Sequence, residues 1–356
     1  MTAKEQKLGY DSGSVSTLDK VKRFASRNGA LIGLIILCII LSIATPAFLT
    51  GPNLLNVGIQ AATVAILAFG QTFVIVEAGI DLSVGSVAAV SSMLVAYTGA
   101  SMGLPPILTI VVGLVTGAVF GALSGIANAF LKLPSFIATL AMMSVARGLT
   151  LVISDGRPVS TSGMVNFFGS TVLGIPIPIV MMIIMGVIAS VILNFTSIGR
   201  SMYAVGGNME ASRLSGISVH KTQIMVFVLS GIFAAVAGLV IAGRLHSAQP
   251  QAASGYEMDA IASVVIGGAS LSGGKGKISG TFIGAILLAV IRNGPQYSQC
   301  VLLLAAGGYR SGHRLRGELR YSASQGGCPL ITSKGVSTNK PNLQSHLSNN
   351  YKRKKQ

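Results

Sequence analysis

Charged side chains are scarce in the body of this sequence, so the places where they gather are where chemistry is to be sought. The densest is residues 196–222, TSIGRSMYAVGGNMEASRLSGISVHKT, with Arg200, Glu210, Arg213 and Lys221. Glycines 199, 206 and 207 predict a turn region in its first half, and the helix formers of 209–214 predict one or two helical turns. Two readings are open: an ordinary loop between helices, or a short docking helix read by another protein. A second gathering, VEAGIDLSVGS at 76–86, sets Glu77 and Asp81 beside Gly79 and Gly85 between two apolar runs. Ionisable groups at membrane depth are expensive and glycines break helices. The stretch is either a discontinuous segment beside a polar path or a tight interfacial turn with solvated carboxylates. Arg147 stands inside an apolar run and is expected to snorkel to the outer surface. Glu257 and Asp259 open another run; they could meet a partner protein or a solute, and capping of a helix N-terminus is the default reading for both.

Other chemistries find no residues. LSGGKGKIS at 271–279 resembles a phosphate loop but fails its pattern in both registers, through Ala269 and Gly276 in one and Leu271 and Ile278 in the other. No nucleotide site, no cofactor and no catalytic group is therefore expected. The histidines at 220, 246, 313 and 346 are scattered, and Cys38, Cys300 and Cys328 have neither metal spacing nor a disulfide framework. No metal site is expected.

The elements that must position these groups follow from composition. Of 356 residues, 51% are hydrophobic and only 10% charged, with mean hydropathy +0.69, against about a quarter charged in soluble domains. The chain reads as an integral membrane protein. Its net charge of +16 is split between the two ends and the body, with no basic stripe interleaved with aromatics, which argues against a nucleic-acid partner. Apolar runs predict spans at 30–49, 54–76, 84–102, 106–131, 135–153, 175–195, 222–243, 258–272 and 278–291. The last two are short for a hydrocarbon core of ~30 Å. The fold class is thus all-α, a polytopic transmembrane helix bundle of about nine spans. Lys20, Lys22, Arg23 and Arg27 before the first span put the N-terminus in the cytoplasm. Threading from there puts Lys132, the 196–222 loop and Lys275–Lys277 inside, and 154–174 and 244–257 outside.

Glycines 113, 117, 121 and 125 recur every four residues on one helix face and predict a seam where a neighbouring backbone approaches closely. Gly276, Gly280 and Gly284 repeat the pattern, as do Ala234, Gly238 and Ala242.

Five blocks carry a family resemblance: GIDLSVGS at 79–86, LPSFIATLAMMSVARGL at 133–149, IGRSMYAVGGNMEASRLSGI at 198–217, SGIFAAVAGL at 230–239 and GYEMDAIASVVIGGASLSGGKGKISGTFIGA at 255–285. The chain resembles the permease subunits of bacterial ATP-binding cassette importers of the ribose type, which also serve xylose, galactose and autoinducer-2. The resemblance covers roughly 30–294. It implies a bacterial inner-membrane protein that passes a monosaccharide, ribose first among candidates, into the cytoplasm without a nucleotide site of its own. The implied partners are a second permease subunit in a homodimer, a cytoplasmic ABC ATPase, a periplasmic sugar-binding protein and the lipid bilayer. Importers of the wider class dock on the ATPase through E-A-A-x-x-x-G, and Glu210, Ala211, Ser212 and Gly216 fit with one conservative departure. Gly199, Arg200, Gly207 and Asn208 complete the expected docking loop. No sugar site carries over. Gln71, Glu77, Asp81 and Asn128 are the translocation-path candidates, chosen as polar groups within or beside apolar spans.

The sequence divides into a cytoplasmic segment (1–29), a permease domain (30–294) and an atypical tail (295–356). The family would continue with a further span, whereas 300–356 has ten basic residues and one acid, Glu318. Such composition predicts disorder, and a frame change near 295 would explain the shift. A basic tail that binds anionic lipid is the competing reading. Two functional rivals stay open: an ion-coupled secondary transporter using Glu77 and Asp81, and a truncated or defective subunit that binds partners without transporting.

Overall fold

A computed structural model describes residues 29–45, 48–161 and 163–293. The expectations for the segment before residue 29 and the tail beyond 294 fall outside the described residues. Among the described residues, five helices are long and apolar enough to cross a membrane: α2 (Gly51–Val76), α4 (Pro106–Leu131), α5 (Ser135–Ser154), α7 (Ile177–Phe195) and α10 (Val219–Leu245). Shorter apolar helices are α1 (Gly29–Ala44), α3 (Val84–Ala100) and α12 (Ile278–Asn293). Between them lie α6 (Met164–Phe167), α8 (Ser197–Gly207), α9 (Met209–Leu214) and α11 (Tyr256–Ile266).

The all-α bundle expected from composition is what forms, and each apolar run lands on a helix. One boundary differs. The run at 258–272 is helical only to Ile266 and then turns at Gly267 and Gly268, the latter at φ +93°. An 11-residue helix rises about 16 Å, roughly half the hydrocarbon core, so α11 does not cross alone.

Proline opens several helices, sitting in the first turn of α2, α4 and α7, where its missing N–H costs no hydrogen bond. Among the described residues, four two-residue strands trim one end of the bundle. β1 (Val159–Ser160) pairs antiparallel with β4 (Ser247–Ala248), and β2 (Thr171–Val172) with β3 (Ile175–Pro176). The second pair is a tight hairpin turning on Leu173 and Gly174, both at positive φ.

Two helices form the core. In its most apolar stretch α2 is 89% buried and α10 72%, against 22% for α5, which lies at the periphery. The two core helices run antiparallel, with Gly70 against Ser230 and Phe73 edge-on to Phe233 at 5.6 Å. Gly117 faces the Gly231 backbone, Gly121 that of Phe227 and Gly125 that of Ile224, so the four-residue glycine spacing is the α4–α10 seam. On the other side α12 packs antiparallel on α2. The Thr72 and Thr281 hydroxyls lie 2.8 Å apart near one end, and Asn53 and Asn293 exchange amide hydrogen bonds at the other.

These contacts define an inverted arrangement. Each core helix is followed by a break (77–83 or 246–255), a short helix (α3 or α11) and a helix packed on the opposite core helix (α4 on α10, α12 on α2). The short helices begin inside the bundle, and their starts touch. A Cβ on Gly85 would come within 2.5 Å of the Ala253 carbonyl oxygen.

Candidate functional site

The polar groups singled out from sequence separate into two places. The first is the break after α2, where every backbone N–H from Gly79 to Ser83 is satisfied without a helix. Gly79 donates to the Val74 carbonyl, Ile80 to Ser135 Oγ, Leu82 to Thr139 Oγ1, and Ser83 to the Asp81 carboxylate. With its amide oriented as its neighbours require, Gln71 accepts from Asp81 N–H and donates to Asp81 C=O, both at 3.1 Å. Irregular backbone inside a membrane bundle is tolerable only with such complete pairing. The Asp81 side chain is likewise occupied, accepting from Ser83 Oγ at 2.6 Å and Ser230 Oγ at 2.9 Å.

Gln71 and Asp81 thus meet, fully buried, and act as the clasp that holds the break between the core helices. Glu77 is also buried but stands apart, its carboxylate turned to the Gln223 amide. Asn128 joins neither: its Nδ2 donates to the Leu133 carbonyl at 3.0 Å and ties the α4–α5 turn.

The second place is residues 196–218. Thr196 caps α8, its Oγ1 accepting from Gly199 N–H at 3.1 Å, and Asn208 caps α9, its Oδ1 accepting from Ala211 N–H at 2.9 Å. The expected helical turns at 209–214 are α9. The expected glycine turn is absent, because Gly199, Gly206 and Gly207 all lie within α8. Packing explains two of them. Gly199 lies on the Leu193 carbonyl and Gly206 on that of Val76, approaches that any side chain would block. Their helix-breaking tendency, about 1 kcal/mol each, is overridden by that contact.

α9 stands out from the bundle. Glu210 and Arg213 pair at 2.9 Å with side chains about 70% exposed, Leu214 is 84% exposed, and Arg200 and Ala211 are open to solvent. Ser212 alone turns inward, its Oγ donating to the Asn208 carbonyl, and Gly216 reverses the chain at φ +82°. Underneath, α8 rests on the loop before α12. Gly274 N–H donates to the Val76 carbonyl at 2.8 Å and Tyr203 Oη to that of Gly276 at 2.7 Å. Burial pushes the Tyr203 phenol up, keeping it a donor at any ordinary pH.

Two charged residues behave differently from expectation. Arg147 does not reach outward past the helix end. The 246–255 segment folds in to meet it, and its Nη1 donates to the Pro250 and Ala252 carbonyls at 2.8 and 3.0 Å. Glu257 does cap locally, its Oε1 accepting from Gly255 N–H at 3.2 Å, while Asp259 pairs with Arg292. A charge inside an apolar run was the visible signal for Arg147; nothing in the sequence placed the Pro250 and Ala252 carbonyls beside it.

Residues 53–306 match the family model described as branched-chain amino acid transport system / permease component. The ribose import permease protein RbsC of Haemophilus influenzae is 47% identical over 280 residues, 77% of this chain and 86% of that protein. The same permease of Bacillus subtilis is 48% identical over 270 residues, 75% and 84% of the two chains. The D-allose transport system permease protein AlsC of Escherichia coli K12 is 38% identical over 263 residues, 73% and 80%. No solved structure matches the chain.

Proposed function

The chain belongs to the family of branched-chain amino acid transport system permease components, and from that membership we propose that it carries ribose inward as the transmembrane subunit of an ATP-binding cassette importer. It is a multi-pass inner-membrane permease of the ribose-importer type. The observation that carries the substrate is the identity of nearly half to two ribose import permeases over three-quarters of this chain. In this reading a partner ATPase hydrolyses the nucleotide, a periplasmic binding protein delivers the sugar, and a second copy completes the membrane unit.

The 196–218 segment, with Gly199, Arg200, Gly207, Asn208, Glu210, Ala211, Ser212 and Gly216, faces the cytoplasm and docks the ATPase. What supports this is the build of α9: capped at both ends, charged on its outer face, and tipped by Leu214, an apolar side chain that water alone would leave uncovered. A short rigid helix seated in a partner's groove turns the partner's closure into a tilt of the bundle.

The test is ATP-driven uptake of labelled ribose in membranes that hold the complete importer. Glu210→Arg is expected to lower uptake about tenfold at unchanged membrane abundance, a loss of about 1.4 kcal/mol of coupling. Normal uptake with that substitution would overturn the docking assignment. Uptake abolished by an ionophore but insensitive to ATP depletion would replace the importer with an ion-coupled carrier.

A further inference from the structure

The face of α5 that looks away from the bundle mixes polar groups with large apolar ones at membrane depth. On α4 the exposed positions, among them Leu108, Val111, Val115, Val119 and Leu123, are all apolar, as a lipid-facing surface requires. On α5 the exposed Leu140, Val145, Leu149 and Val152 are apolar too, but Ser144 and Gly148 are exposed among them, half-buried Arg147 lies between these two, and the adjoining segment exposes Ser254 beside half-buried Glu257. Ser144 is the tenth residue of a 20-residue helix, about 14 Å along its roughly 30 Å length, and Arg147 is one turn further. These groups stand at membrane depth.

The two charges are incompletely used. Arg147 spends only Nη1, on the Pro250 and Ala252 carbonyls, leaving Nε and Nη2 without a partner among the described residues. Glu257 spends Oε1 on Gly255 N–H, while its Oε2 takes the room left by Gly85, 2.6 Å from where a Cβ there would sit. Charges with open hydrogen-bonding capacity at membrane depth are expensive, about 3 kcal/mol each near the middle of a helix. By contrast Gln71 and Asp81 are sealed and saturated, so a solute passing them would find nothing to bind.

We infer that the face formed by Ser144, Arg147, Gly148, Ser254 and Glu257 is the wall that a neutral polyhydroxylated solute touches as it crosses the membrane, closed on its far side by a second permease copy. The chemistry matches a sugar. Free guanidinium N–H groups donate to hydroxyl oxygens, a free carboxylate oxygen accepts from hydroxyl hydrogens, and the Ser144 oxygen, whose hydrogen goes to the Leu140 carbonyl, can still accept. The charges cancel, so the wall favours neither anions nor cations. Ser144, Gly148 and Ser254 keep it shallow. The assignment rests on the permease reading and moves the path from Gln71 and Asp81 to α5.

The experiment uses the full chain in its native membranes with Cys38, Cys300 and Cys328 replaced by serine. Single substitutions Ser144→Cys, Ser254→Cys and Val115→Cys are reacted with a charged, membrane-impermeant methanethiosulfonate, with and without D-ribose. The first two are expected to react about tenfold faster than Val115→Cys and to be slowed by ribose. Rates no faster than that control would make the face lipid-facing and overturn the inference. So would Ser144→Cys pairs that form disulfide-linked dimers while resisting the reagent, the mark of a dry interface, or labelling that ribose does not slow. Independently, Glu257→Gln and Arg147→Lys are expected to raise the uptake KM about tenfold at normal abundance, and an unchanged KM would count against contact with solute. Ribose-protected labelling together with uptake of some other sugar, and not ribose, would overturn the proposed substrate while leaving the wall standing; ribose uptake with an unreactive face would sink the wall alone.

Discussion

Asp81 shows what a buried carboxylate does when every neighbour is committed to it. Its backbone is held by the Gln71 amide and its side chain by Ser83 and Ser230, so three separate segments converge on one residue. Gln71→Leu would leave the Asp81 N–H and C=O unpaired inside the bundle, each at a penalty of about 1–3 kcal/mol. A clearly lower unfolding temperature in detergent is expected, measured by fluorescence-detected size exclusion after heating. Asn128→Ala, which frees only an exposed turn carbonyl, is expected to leave that temperature nearly unchanged. Equal effects of the two would remove the clasp role of Gln71. The sequence marked Gln71 and Asp81 as polar groups in apolar surroundings, but not that they face each other. Ten residues apart across a helix end, they meet only because the chain doubles back at Gly79. Arg147 was legible as a costly charge, whereas its use was not, because the carbonyls it binds are a hundred residues away and no side chain announces a carbonyl.

At the level of elements the small-residue spacing was the most legible feature, since four glycines at every fourth position define one face of a helix whatever packs there. What packs there is backbone, and a backbone leaves no trace in residue type; the identity of α10 as partner had to come from the fold. The seam predicts a graded series. At Gly113 a new Cβ meets chiefly the Val95 side chain, which can rotate away, but at Gly121 it collides with the Phe227 carbonyl, which cannot. Gly121→Ala should therefore force α4 off α10 and sharply reduce the folded fraction, while Gly113→Ala should be tolerated. The measurement is the monodisperse peak of the detergent-solubilised chain. A Gly121→Ala chain as abundant and as heat-stable as the parent would show that the seam is looser than its geometry. The same reasoning accounts for the misread glycines of α8. Local propensity favoured a turn there, yet glycine serves close approach as readily as it serves turning, and only the neighbour decides which.

Over the whole molecule the two inverted halves share a platform. The end of α2, the α8 helix and the loop before α12 lock together through Gly206 on the Val76 carbonyl, Gly274 N–H on the same carbonyl, and Tyr203 Oη on Gly276. The nine apolar runs were readable one by one, but not this arrangement. The 246–255 break is polar enough to pass for an external loop, and its descent into the bundle depends on Arg147 and Gly85 receiving it. In the importer proposed above, a push on α9 travels through this platform to both breaks at once: through Val76 to the segment holding Asp81, and through Gly276 to α12 and the helix packed on it, α11. Tyr203→Phe removes one hydrogen bond, a loss of about 1 kcal/mol that the bundle should survive. It weakens the link between α8 and the α12 side without touching α9 or the α5 face. The expected result is uptake reduced several-fold with the partner's ATP hydrolysis and the sugar KM both preserved, since docking and solute contact are intact and only transmission is weakened. A parallel fall in hydrolysis and uptake would mean that Tyr203 supports docking itself, and the platform would then be part of the ATPase interface rather than the lever behind it.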